Sequence, residues 1–201
     1  MSAVAPGSTR PTAGPPRDYR FPFFERVTLD NGLRVIVAPV HKLPIVSAAL
    51  VVDAGASSEP ANADGVAQLA ARALQEGTRS HTGDALGEQF ERLGGAVGAS
   101  ADWDSAVISA TVLAPRLEEA MTLFAEVVLE PALPERELAR LKAERLADLL
   151  QLQAEPRGLA DEMFSRFVYD AASRYARPEH GSAASVTAID RAVVERFYQT
   201  R

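Results

Sequence analysis

The chain has 201 residues, 47% apolar and 24% charged, with a formal net charge of −6 and no cysteine. A globular protein of this size buries roughly 70% of its unfolded surface, so it can hold a core without covalent staples. Disulfides, thiolate metal sites and cysteine nucleophiles are excluded, and the acidic balance argues against nucleic acid or an anionic membrane as partner.

Residues 1–22, "MSAVAPGSTRPTAGPPRDYRFP", are rich in Pro, Gly, Ser and Thr and read as a flexible leader. They lack the apolar core of a signal peptide, and no stretch of about 18 apolar residues follows. A cytoplasmic address is therefore the default expectation.

"RVTLDNGLRVIVAPV", Arg26 to Val40, predicts two β runs around Asp30-Asn31-Gly32, because Asn-Gly between apolar alternations is a strong hairpin signal. "PIVSAALVVDAG", Pro44 to Gly55, is nearly continuous in apolar residues and predicts a strand buried on both faces. The polar loop "ASSEPANAD" leads to "GVAQLAARALQEGT", Gly65 to Thr78, with Asp64 as an expected N-cap. Val66, Leu69, Ala70, Ala73 and Leu74 recur at helical spacing, and Gln68, Ala71, Arg72 and Gln75 share a second side.

Thr82 is placed to cap a second helix whose stripe is Leu86, Phe90 and Leu93, with Gly94-Gly95 as its stop. "AVGASADWDSAVISATVLA", Ala96 to Ala114, predicts a second hairpin broken at Asp102-Trp103-Asp104. A helix from Pro115 to Leu129 is expected to turn Leu117, Met121, Phe124 and Val128 inward. The long helix "ERELARLKAERLADLLQLQAE" follows, with Leu138, Leu141, Leu149 and Leu152 among its buried positions. Pro156 and Gly158 mark a kink or break. A further helix runs to about Tyr169, and "VTAIDRAVVERFYQTR" closes the chain as helix. The order defines an α+β protein, a mostly antiparallel sheet covered by helices.

Few residues offer chemistry. His41, His81 and His180 all fall in predicted loops without a close partner, and read as solvated loop residues. No HxxEH, GxSxG, GxGxxG or GxxxxGK[ST] pattern occurs. Gly94, Gly95 and Gly98 follow a helix instead of a strand, which suits a helix stop and a hairpin start better than a phosphate loop. Glu135, Glu137, Glu144, Asp148 and Glu155 alternate with Arg136, Arg140, Lys142 and Arg145 along the long helix, as on a solvated face.

"LDNGLRVIVAPV", "PIVSAALVVDAGASSEP" and "GVAQLAARALQEGT", taken together, resemble the N-terminal domain of the M16 (insulinase/pitrilysin-like) metallopeptidase family. "LGGAVGASADWDSAVISATV" resembles the family's next helix end and hairpin, and "LPERELARLKAERLADLLQLQAEP" its long helix. The resemblance covers roughly Phe24 to Arg201, so the expected organisation is a leader over 1–22 and an M16-type domain over 23–201, truncated before its last strand.

In active members two histidines of HxxEH bind zinc, the glutamate between them activates water, and a glutamate on the long helix is the third ligand. The resemblance puts Gln68 and Arg72 at the histidine positions, Ala71 at the base and Asp148 at or next to the third ligand. It therefore implies no catalytic residue, cofactor or metal in this chain, and a pair between Arg72 and Asp148 across the vacated site. It further implies a zinc-free subunit that assembles with an HxxEH-bearing homologue, zinc being held by that partner, around a shared peptide chamber. The family's peptide-pairing strand maps to Val97, Gly98, Ala99 and Ser100, where Gly98-Ala99 replaces the usual Asn-Ala. A divergent metallopeptidase with altered ligands and a stand-alone peptide-binding pseudoenzyme are the alternative readings.

Overall fold

The computed structural model describes residues 14–16 and 18–201. Most of the expected leader, residues 1–13 and Arg17, lies outside them. The chain divides into two units, Met1–Leu43 and Pro44–Arg201.

The first unit contains a hairpin of β1 (Glu25–Thr28) and β2 (Arg34–Val37), paired antiparallel with Val27 opposite Val35. The turn is the expected one: the Leu29 N–H bonds the Leu33 carbonyl at 2.9 Å, and Asn31 Oδ1 accepts from the Leu33 N–H at 3.0 Å.

The second unit is built on a three-stranded antiparallel sheet in the order β3-β5-β4. Its strands are β3 (Ile45–Val52), β4 (Ala96–Ala101) and β5 (Ala106–Leu113). The central strand alternates cleanly. Ile108, Ala110 and Val112 are buried, and Ser109 and Thr111 face out. β3 was expected to be buried on both faces, but its residues alternate between exposed and half-buried. An antiparallel edge strand covered on one side behaves this way, whereas a continuous apolar run cannot distinguish it from a central strand.

Seven helices lie in this unit among the described residues: α1 (Val66–Ala73), α2 (Gly83–Arg92), α3 (Leu117–Leu129), α4 (Glu135–Gln153), α5 (Pro156–Val168), α6 (Ala183–Ala188) and α7 (Arg191–Thr200). Thr82 caps α2 through its hydroxyl, which accepts from the Ala85 N–H, and Leu86, Phe90 and Leu93 are buried as predicted. Gly94 (φ 69°) ends α2, and a Cβ on Gly95 would lie 2.2 Å from the Thr111 carbonyl, so the chain passes too close to β5 for any side chain.

Three expectations about helix faces are corrected. In α3 the buried positions are Ala120, Phe124 and Val127, while Met121 is exposed and Leu117 and Val128 are half-buried. In α4, Leu138, Leu141 and Leu149 are buried but Leu152 is only half-buried near the helix end. The final helical segment is broken at Ile189-Asp190, where Asp190 accepts from the Val193 N–H and starts α7.

α1 belongs to a core with Leu138 and Leu141 of α4, Val186 and Ile189, and Val194 and Phe197 of α7. Burying Leu69, Leu138 and Leu141 contributes about 1.5–3 kcal/mol each. A second core gathers α2, α3 and the sheet around Phe90, Ile108 and Phe124.

Candidate functional site

The entrance to α1 is fixed by a carboxylate from the preceding loop. Gly65, and not Asp64, stands at the N-cap, with φ 97° and no side-chain cap. Glu59 reaches over instead, its Oε1 accepting from the N–H groups of Gly65 and Ala67 at 2.9 Å. Two orphan donors of the first turn are satisfied by one anion, which also suits the positive end of the helix. Arg174 holds the other side of that carboxylate, its Nε donating to Glu59 Oε2 at 3.1 Å. Both side chains are almost fully buried, 7% exposed for Arg174 and 0% for Glu59. Burial pushes the Glu59 carboxyl above its ordinary value, against the pull of Arg174 and the two N–H groups. Asp64 Oδ1 lies 3.4 Å from both Arg174 and Arg177, an ionic position in place of the expected cap.

The second side of α1 is spent on tertiary contacts. Gln68 Oε1 accepts from the Ala101 N–H at 2.9 Å, and Gln75 Nε2 donates to the Ala99 carbonyl at 3.0 Å. Both partners lie on β4, the edge strand. The Asp102 N–H bonds the Ser105 carbonyl at 2.9 Å, and alternation from that pair turns the backbone groups of 97, 99 and 101 away from β5. The two glutamines therefore occupy edge groups that another strand would use.

Arg72 binds Glu144 of α4 at 2.8 Å. The expected pair with Asp148 is not formed, and the partner lies one helical turn earlier. Glu144 is already oriented by Arg140, and Arg140 also binds Glu76 at 2.6 Å and Glu137 at 2.8 Å. Arg72 thus joins an existing charge network, and the hydrogen bonds from Arg72 and then Arg140 hold the Glu144 carboxyl below its ordinary value. The charged face of α4 serves partly as a seam to α1 as well as a solvated surface.

Ala71 departs from the expected polar side. It is 4% exposed and lines an apolar groove of about 370 Å³ together with Ala67, Ala70, Ile108 and Phe197. Gln68, Arg72 and Asp148 do converge. They line a polar pocket of about 90 Å³ with Gly65, Leu69, Arg145 and His180. Gly65 is required there, since a Cβ would lie 2.7 Å from the His180 carbonyl and its φ is positive.

Arg145 and His180 were not singled out as site residues. Arg145 Nε donates to the His180 carbonyl at 3.1 Å, closing the pocket from the far side. His180 was read as a solvated loop residue but is half-buried, and burial, then Arg145 and Arg174, push its pKa below the ordinary 6.5. Burial likewise lowers Arg145, with Glu162 and Asp148 pulling it back up. His81 also departs from that reading, standing 3.0 Å from Glu126, while His41 is exposed. Only a pairing of distant segments reveals the pocket's role for His180, and nothing local in "RPEHGS" signals it.

The donor set does not fit zinc. Tetrahedral zinc takes thiolate, imidazole and carboxylate ligands at about 2.0–2.3 Å. The Gln68 carbonyl is engaged with a backbone N–H, and Arg72 and Arg145 bring positive charge. A dication 4 Å from a guanidinium is repelled by about 8 kcal/mol at an effective dielectric of about 20. Among the described residues no group of three or more His, Asp or Glu side chains is placed to hold a metal ion.

This fold, with its α1–β4–α4 junction, is that of a peptidase-like domain. The chain belongs to the insulinase family, peptidase family M16, whose model matches residues 34–178. A crystal structure of a peptidase M16 inactive domain from Pseudomonas fluorescens is 32% identical, with a TM-score of 0.83 over 87% of this chain and 42% of that one. A protease structure from Helicobacter pylori, 22% identical, shares the fold with a TM-score of 0.77 over 89% of this chain and 43% of that one. Among curated relatives, a probable mitochondrial-processing peptidase subunit beta of Arabidopsis thaliana is 27% identical over 86% of this chain and 32% of its own length. An uncharacterized zinc protease of Rickettsia bellii is 25% identical over 70% of this chain and 34% of its own length. The chain thus spans about a third of the length of these curated relatives. No helix among the described residues is long and apolar enough to cross a membrane.

Proposed function

We propose that this chain is the zinc-free, catalytically inactive member of a heterodimeric M16 metallopeptidase, and that it completes the peptide chamber of an HxxEH-bearing homologue. One observation carries the reading. Three of the four side chains that the resemblance places at the motif positions have structural partners, Gln68 in the Ala101 N–H, Arg72 in Glu144 and Ala71 in an apolar lining, while Asp148 is exposed. A metal site lost without replacement would leave the polar side of α1 without partners on β4 and α4. Here the helix is fastened to both. Similarity to an M16 inactive domain supports the loss of catalysis, and similarity to a subunit of a processing peptidase supports only the assembly with other subunits.

In this assembly zinc, water activation and bond cleavage belong to the partner. This chain supplies chamber wall, with Val97, Gly98, Ala99 and Ser100 as the strand nearest to peptide pairing. Because Gln68 and Gln75 occupy Ala101 N and Ala99 O, pairing there is limited to the Val97 groups and the Ala99 N–H. The experiment is co-purification with an HxxEH homologue from the same organism, followed by peptide cleavage assays of the pair and of each subunit. Cleavage by the pair and none by this chain is expected. Cleavage by this chain alone, abolished by a chelator, would favour a divergent metallopeptidase and overturn the reading.

A further inference from the structure

The pocket at the former ligand positions is rich in hydrogen-bond donors. Arg72 uses one terminal nitrogen on Glu144, and Arg145 uses Nε on the His180 carbonyl. Among the described residues the other guanidinium nitrogens of both, and the amide nitrogen of Gln68, have no hydrogen-bond partner in the pocket. Gln68, Arg72 and Arg145 line a space of about 90 Å³, room for a carboxylate group and one or two waters at about 30 Å³ per water. Arg72 and Arg145 both line this one small cavity, and a single guanidinium is a planar fork that matches a carboxylate.

Asp148 borders the same space, and Glu162 and then Asp148 oppose the charge of Arg145, although neither makes an ion pair with it within 4 Å among the described residues. Asp148 is exposed while Arg145 is half-buried, and the Glu162 and Asp148 carboxylates set a limit on affinity for an anion.

From this arrangement we propose that the pocket binds a peptide carboxylate, with Arg145 and Arg72 as its principal donors and Gln68 as a third. Where metal-bearing relatives would place a cation, this chain places an anion site. A free peptide C-terminus and an acidic side chain offer the same group, and both are compatible with a chamber that receives peptides. The inference goes beyond the subunit reading and does not depend on a partner, since binding is read on this chain alone.

The test uses the nitrogen-15-labelled full chain, titrated with N-acetyl-tetra-alanine as free acid and as amide, and with an amidated peptide carrying one aspartate. The signals followed are the Gln68 side-chain amide and the arginine Nε–H groups. Saturable shifts with the free acid, the aspartate peptide or both, and none with the neutral amide, are expected. The first pattern assigns a C-terminus and the second a side chain. Arg145→Gln is expected to weaken binding at least tenfold. Asp148→Asn leaves the Arg145–His180 contact intact and is expected to tighten it severalfold. Equal shifts with the neutral amide, no shift with either acid, or an Asp148→Asn variant that binds more weakly would each overturn the proposal. Tighter binding of inorganic phosphate than of either peptide acid would also overturn it.

Discussion

Glu59 and Arg174 stand far apart in the chain, and together they hold the first turn of α1. The pair is nearly water-free, so truncating one partner strands a buried charge. Glu59→Ala is predicted to cost about 3–5 kcal/mol in urea unfolding. Replacing Glu59 by glutamine, which keeps an acceptor for the Gly65 and Ala67 N–H groups, is predicted to cost clearly less than the alanine. His180 gives a pH signature at the same scale. Its folded pKa lies below 6.5, through burial first and the neighbouring arginines second. The unfolded chain therefore takes up a proton before the folded one does. The stability due to neutral His180 is fully present above pH 6.5 and falls with pH until the folded pKa is passed. Unfolding midpoints measured between pH 8 and 5 are predicted to show this loss in the native chain and a smaller one in His180→Asn.

The elements divide according to how local their signals are. The capped start of α2 at Thr82, its stop at Gly94 and the Asn31-Gly32 turn were legible because each is decided within a few residues. Leu86 and Phe90 were legible as core for the same reason. Which carboxylate takes Arg72 was not. Glu144 and Asp148 lie one turn apart on α4, and spacing alone cannot rank them. Arg140 decides the matter by fixing Glu144 from its own helix. The role of Glu59 escaped for a related reason: it caps α1 from six residues before Gly65, across a loop whose path the sequence does not specify. The α1–β4 seam is predicted to be visible by hydrogen exchange. Gln68→Ala removes the partner of the Ala101 N–H, which sits on a buried residue, and should cost about 1–3 kcal/mol. Exchange at Ala101 should accelerate while Val97, whose N–H already faces the open side, stays as it was. Equal exchange at Ala101 in both chains would mean that the seam contributes nothing to holding the edge.

For the whole molecule, family membership gives the fold, and the contacts at the α1–β4–α4 junction are what the proposed role rests on. The sheet, α1 and α4 lie in an M16 fold, and Gln68, Ala71, Arg72 and Asp148 bring to their junction an amide, a methyl group, a guanidinium and one carboxylate. The apolar side of α1 still builds the core, and its other side fastens the helix to β4 and α4. If that exchange of roles is correct, metal affinity has gone with it. The most direct measurement is the zinc content of the purified chain after equilibrium dialysis against micromolar zinc, read by atomic emission. The account predicts only trace metal, unchanged by Arg72→Gln. Retention of roughly one equivalent of zinc, with chelator-sensitive peptide cleavage, would contradict it.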